Sequence, residues 1–294
     1  MQFERQKKEE SPVLAVCYDF DRTLTPDDMQ AQGFIQSVGL DVKEFWDQAN
    51  ELAKQSDMDN NLAYMYLMVR HAKGKFYVTR KALNAYGAKI TLYKGVEDWF
   101  GRLNAYAKER GVILEHYIIS SGLREMIEGT PIAKHFKKIY ASAFYFDEDG
   151  APRWPAQTIN YTNKTQFLFR IEKGCLDIND HAGVNEYYSP ENLRVPLRNF
   201  VYLGDSDTDI PCMKLVSAAG GHAVGVYDPD GDKEKVYRLM KNDRIRYFAP
   251  ADYSEGGELD LLLKAIIEKT SFYEALEEKH IKNLLETRKH FEKK

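Results

Sequence analysis

The chain has 294 residues, more than one average domain needs, so one large domain or a core with a smaller companion is expected. Hydrophobic content of 44% and aromatic content of 13% describe a globular protein and exclude a disordered one. The formal net charge of −4 leaves no basic excess, which argues against nucleic acid and anionic membrane surfaces as partners.

The charged opening MQFERQKKEE is followed by an apolar run too short for a signal sequence and ended by acids. That run, Val13 to Tyr18, is β-branched and apolar, and it stops at Asp19 and Asp21 with Phe20 between them. Side chains alternate along an extended segment, so both carboxylates can face one side while Phe20 faces the other. Two crowded carboxylates call for a cation or a retained proton, and hard Mg²⁺ with oxygen ligands is the natural neutraliser. Two acids after a strand also suit a simple turn cap.

From Asp27 to about Tyr93 the sequence reads as helices with no convincing strand. QAQGFIQSVGL, EFWDQANELAKQ and NLAYMYLMVRHAKG carry apolar residues at three-to-four spacing. This insertion of about 65 residues far exceeds the dozen or so that a parallel crossover requires. It is expected to be a small helical domain, residues 27–93, set on a core of residues 1–26 and 94–294.

A helix from Val96 to Arg110 ends at Gly111. A second strand, VILEHYIIS, then runs into Ser120, Ser121 and Gly122, with a helix starting at Leu123 and Arg124. Hydroxyls and a glycine at such a turn offer O–H and N–H groups to an anion, although a plain helix cap uses the same residues. IYASAFYF and the turn signal DEDG predict a hairpin over 139–160, beside the core. TNKTQFLFRIEKG predicts a helix that begins at Thr162 and Asn163 and closes at Gly174, with Lys164 in its first turn. A lysine at the positive end of a helix is unfavourable unless something anionic is near.

The third strand, Asn199 to Leu203, leads into GDSDTDIP, where Asp205, Asp207 and Asp209 again crowd a strand end. HAVGVYD and IRYFAP predict further strands, and Glu258 to Lys294 predicts two polar-faced helices at the edge. Cys17, Cys175 and Cys212 show no paired spacing and read as reduced, buried residues, which with the lack of a membrane-length apolar stretch implies a cytoplasmic setting. The seven histidines have no zinc-ligand spacing. No motif assigns an oligomeric state.

Parallel strands ending in polar residues converge at the ligand-binding edge of an open, doubly wound, Rossmann-like α/β sheet. In order, DFDRTLT from Asp19, the turn at Ser121, Lys164 and GDSDTD from Asp205 resemble the four motifs of the haloacid dehalogenase (HAD) superfamily. The resemblance spans Val13 to about Asp228, and the insertion after the first motif is like the cap of its phosphoserine-phosphatase-type members. It implies Mg²⁺-dependent hydrolysis of a small phosphomonoester. Asp19 would be the nucleophile and Asp21 the general acid and base. The metal would be held by Asp19, the Asp21 backbone carbonyl and Asp205, supported by Asp209. Ser121, Gly122 and Thr23 would contact substrate, and Lys164 would offset gathered negative charge.

Arg22 departs from the glycine that many members carry after the second Asp. Ser121 is preferred to Ser120 because it directly precedes Gly122. Asp21 argues against a dehalogenase or phosphonatase, whose leaving groups need no proton there. A phosphomutase would share all four motifs, and a non-catalytic phosphate sensor would be expected to lack Asp19 or Asp205. Specificity is expected in the insertion, with Gln32, Trp46, Tyr64, Arg70 and Arg80 as candidates.

Overall fold

β1 (Val13–Tyr18) is apolar at every position because both of its faces are covered. Leu14, Val16 and Tyr18 enter one hydrophobic core, and Val13, Ala15 and Cys17 enter the other. The computed structural model describes residues 3–292. Among them, β1 joins β2 (Ile113–Leu123), β3 (Phe136–Phe146), β4 (Pro152–Gln157), β5 (Phe200–Gly204), β6 (His222–Tyr227) and β7 (Tyr247–Pro250) in a sheet of order β4-β3-β2-β1-β5-β6-β7. Every pairing is parallel except β3 with β4, so this is the expected doubly wound α/β architecture.

Between β1 and the next strand lie α1 (Phe34–Ser37), α2 (Val42–Ser56), α3 (Asn60–Ala72), α4 (Arg80–Gly87) and α5 (Val96–Glu109). The remaining helices are α6 (Arg124–Glu128), α7 (Thr165–Lys173), α8 (His181–Asn185), α9 (Ile210–Ala218), α10 (Glu234–Lys241) and α11 (Glu258–Glu292). The segment from 27 to 93 is helical without a strand, as its periodicity predicts. Its two ends are tied together, because the Tyr93 N–H donates to the Leu24 carbonyl at 2.9 Å. α4 lies backbone-to-backbone on the α6 region: a Cβ at Gly87 would stand 1.9 Å from the Met126 carbonyl oxygen.

Three expectations change in detail. The hairpin is present, but β3 is a parallel member of the main sheet and only β4 is antiparallel. β2 does not stop at Ser120; it runs on to Leu123 with a register shift between Ser120 and Leu123, so Ser121 and Gly122 occupy an irregularity at the strand end. Glu258 onward is one helix of 35 residues and not two. Its buried positions end at Thr270, and the helix-favouring Glu, Lys and Leu beyond carry it on into solvent. The expected end at Lys294 lies outside the described residues.

Candidate active site

β1 delivers Asp19 to the carboxyl edge of the sheet. The Asp19 N–H donates to the Leu203 carbonyl at 2.9 Å, which extends the β1–β5 contact by one residue. One Asp19 carboxylate oxygen accepts the Phe20 N–H at 2.8 Å, and the other lies 3.1 Å from Lys164 Nζ. Lys164, immediately before α7, is fully buried and also lies 2.7 Å from Asp209. These two carboxylates are the anions that its position at a helix start required. Asp209 is held further by Tyr202 Oη at 2.8 Å and by the Ser206 N–H and hydroxyl. Asp205, just after β5, lies 3.2 Å from Lys235 Nζ.

One carboxylate oxygen from each of Asp19, Asp205 and Asp209 falls within 4.8 Å of the others. Burial raises the Asp19 carboxyl to about 7, and Asp209 adds to that rise while Lys164 opposes it. Burial likewise lifts Asp205 to about 6 against the pull of Lys235. Asp209 is buried too, yet its closer contact with Lys164 holds it below the ordinary carboxylate range. Asp21 is pushed well up by burial and by the neighbouring Asp28 and Asp19. Asp19, Asp205 and Asp209 thus share two ammonium groups with Asp21 close by and paired with neither, and the shortfall of positive charge together with an all-oxygen donor set fits a hard divalent cation such as Mg²⁺.

Asp21 is aimed away from that cluster, toward the helical insertion, with one carboxylate oxygen accepting the Met29 N–H at 2.8 Å. The absence of a side chain at Gly122 makes room for it: a Cβ there would lie 2.9 Å from Asp21 Oδ2 and 2.2 Å from Met29 Cε. The two serines differ in a way that the sequence left open. Ser120 Oγ accepts the Gly122 N–H at 3.0 Å, whereas Ser121 Oγ is buried without a protein partner among the described residues. Both line a cavity of about 450 Å³ together with Asp19, Asp21, Gly122 and Asp205. Thr23, Lys164 and Asp209 stand behind its wall.

The model of the haloacid dehalogenase-like hydrolase family matches residues 16–214, well over half of the chain. The chain belongs to this family. An uncharacterized protein of Borreliella burgdorferi is 25% identical over 279 residues, covering 85% of this chain and 95% of that protein. Solved structures share the fold at lower identity. A HAD family hydrolase from Salmonella enterica serovar Typhi matches with a TM-score of 0.54 at 16% identity, over 88% of this chain and 73% of that one. A phosphoserine phosphatase in apo form matches at 0.51 and 16%, over 85% and 98% of the two chains. A probable phosphoserine phosphatase from Vibrio cholerae matches at 0.55 and 12%, over 90% and 67%.

In this HAD hydrolase the cavity roof comes from the insertion. Gln30, Trp46, Asn50, Asn60, Asn61 and Tyr64 reach the cavity, so Trp46 and Tyr64 are brought in from the expected specificity residues. Gln32, Arg70 and Arg80 are not. Gln32 ties Asp27 to Thr91, Arg70 lies on outer clefts, and Arg80 pairs with Glu125 and Glu128. The insertion is held down over the sheet edge by three hydrogen bonds. Tyr64 Oη donates to the Ser121 carbonyl at 2.8 Å, Asn61 to the Ile159 carbonyl at 2.6 Å, and Asn160 to Asp59 at 2.6 Å.

Arg22 has φ of +56°, a left-handed conformation that suits glycine and costs another residue roughly 1 kcal/mol. Its guanidinium lies 3.3 Å from Asp28 and 3.4 Å from Asp27. Gln30, the three asparagines and Lys235 belong to no motif in the sequence. Their types are ordinary surface types, and only tertiary folding brings them to the cavity.

Proposed function

We propose that this HAD hydrolase is a Mg²⁺-dependent phosphatase of small phosphomonoesters that works through an aspartyl-phosphate on Asp19. The observation that carries the reading is the pairing of two carboxylates with different surroundings on one cavity: Asp19 is backed by Lys164, and Asp21 is held by the Met29 N–H with its proton affinity raised. An Asp19 oxygen attacks phosphorus as the P–O bond to the leaving group breaks, and protonated Asp21 supplies the alkoxide with its proton. Water then attacks the phosphoryl group, Asp21 takes up the water proton, and the Asp19–phosphorus bond breaks to release phosphate.

Asp19, Asp205 and the Asp21 backbone carbonyl would hold Mg²⁺, which when bound screens phosphate charge from the incoming carboxylate. Asp209 fixes Lys164, and through it the Asp19 side chain. The Ser121 hydroxyl serves the phosphoryl oxygens, which agrees with the unpartnered state of Ser121 Oγ, while Ser120 Oγ accepts the Gly122 N–H and fixes the turn.

The same reading makes residues 27–93 a cap on a core of 1–26 and 94–294. Opening would break the bonds of Asn61, Asn160 and Tyr64. Three buried free cysteines suit the cytoplasmic setting of such an enzyme. Among the described residues no helix is long and apolar enough to cross a membrane.

The test is phosphate release from 4-nitrophenyl phosphate with and without Mg²⁺. Turnover is expected to need the metal and to fall by about 10⁴-fold or more in Asp19→Asn. Full activity in excess chelator, or an active Asp19→Asn, contradicts the proposal.

A further inference from the structure

The roof of the cavity carries polar atoms that the phosphatase chemistry does not use. The Gln30 side chain is 1% exposed, and its Oε1 has no protein partner among the described residues. Trp46 Nε1 is also buried and unpartnered. Both residues line the cavity that holds Asp19. A buried polar atom that makes no hydrogen bond is costly, so two on one wall need an explanation in what binds there.

Their chemistry is selective. Trp46 Nε1–H can only donate, whereas the Gln30 amide, turned about its last bond, presents either its carbonyl oxygen or its N–H. An ammonium has no acceptor and would leave Trp46 Nε1–H unmade, and a carboxylate would bring a charge that these two neutral groups do not balance. A hydroxyl group can accept from Trp46 and donate to Gln30.

Charge points the same way. Among the described residues, the cavity wall from the cap includes Asp28, Gln30, Trp46, Ala49, Asn50, Asn60, Asn61 and Tyr64, with no lysine, arginine or histidine. Asp28 is paired with Arg22 at 3.3 Å. The cations at the rim are committed, Arg22 to Asp27 and Asp28 and Lys235 to Asp205. A leaving group carrying a carboxylate or a second phosphate would meet amides and a carboxylate where it needs a free cation. The cavity volume of about 450 Å³ lies within the range of small-molecule sites.

We infer that the group esterified to phosphate is uncharged and rich in hydroxyls, of sugar or polyol type, with Gln30 and Trp46 as its specificity-determining contacts and the neighbouring asparagines as further amide partners. This inference rests on the proposed phosphatase reading for its placement of the phosphate, and binding and turnover can be read separately. Calorimetry on Asp19→Asn with Mg²⁺ would compare a hexose 6-phosphate and glycerol phosphate with phosphoserine and phosphoethanolamine. The hydroxylated pair is expected to bind about tenfold more tightly or better, and adding Gln30→Leu or Trp46→Phe should shrink that preference by about tenfold. Equal or tighter binding of phosphoserine or phosphoethanolamine overturns the inference. So does a variant that weakens all four ligands equally. If the wild-type enzyme fails to turn over 4-nitrophenyl phosphate while the binding preference holds, the catalytic reading falls and the ligand class stands.

Discussion

Two buried charge clusters flank the central strands, and they are built to opposite rules. Near the start of β2, Glu115 receives both Arg194 guanidinium nitrogens, at 2.7 and 2.8 Å, the Tyr117 hydroxyl at 2.6 Å, and Lys137. Arg194 also holds Glu9. Two cations meet two anions, and although burial alone would raise Glu115, the bonds from Arg194, Lys137 and Tyr117 pull it down to about 2. At the carboxyl edge, Asp19 and Asp209 share Lys164, Asp205 pairs with Lys235 and Asp21 has neither, and three of the four have raised proton affinity. Burial is similar in the two places. The balance differs, and a buried site short of positive charge is organised for a ligand whereas a balanced one is organised for the fold.

The largest expected effect is on the unbalanced side. Asp21→Asn should slow alkyl phosphates by about 10²–10⁴ in single turnover, because their leaving groups need a proton. With 4-nitrophenyl phosphate the variant should give a nitrophenol burst near one equivalent and then stall, because the phenolate leaves unaided while the water attack lacks its base. Equal losses for both substrates, without a burst, would break the assignment of Asp21.

On the balanced side, Arg194→Met should cost about 3–5 kcal/mol in urea unfolding, since it strips Glu115 of its bidentate partner. Activity per folded molecule should stay near wild type. A variant as stable as the parent would show that the balanced cluster contributes nothing to the fold.

Acid should separate the clusters more gently. Glu115 has its carboxyl depressed from an ordinary 4.5 to about 2, so its contribution is fully present above about 4.5 and is lost as pH falls toward 2. A loss of about 2 kcal/mol across that window is expected, and it should be absent in Glu115→Gln. The same slope in both proteins would contradict the origin given for it.

Sequence legibility follows the same division. Asp19, Asp21 and Asp205 were readable because each ends an apolar run abruptly, and Lys164 because it sits where a helix start disfavours it. The Glu115–Arg194 pair spans 79 residues and carries no local signal. Asn50 and Asn61 look like any polar residues on amphipathic helices until α2 and α3 fold over the sheet edge, and Gln30 sits in a short turn with no periodic pattern. α11 keeps apolar residues beyond Thr270, Phe272, Leu276, Leu284 and Leu285 among them, but they are exposed and mark no second packed helix, so the backbone runs on as one. Apolar spacing alone does not tell a packed helix from one that runs on into solvent.

The most direct test of the central claim is to quench the wild-type enzyme with acid during turnover of a labelled phosphomonoester and map the label by mass spectrometry. The account predicts an acyl phosphate, cleaved by hydroxylamine, on the peptide containing Asp19 and absent in Asp19→Asn. Steady turnover with no trapped label, or with label on a different residue, would contradict it.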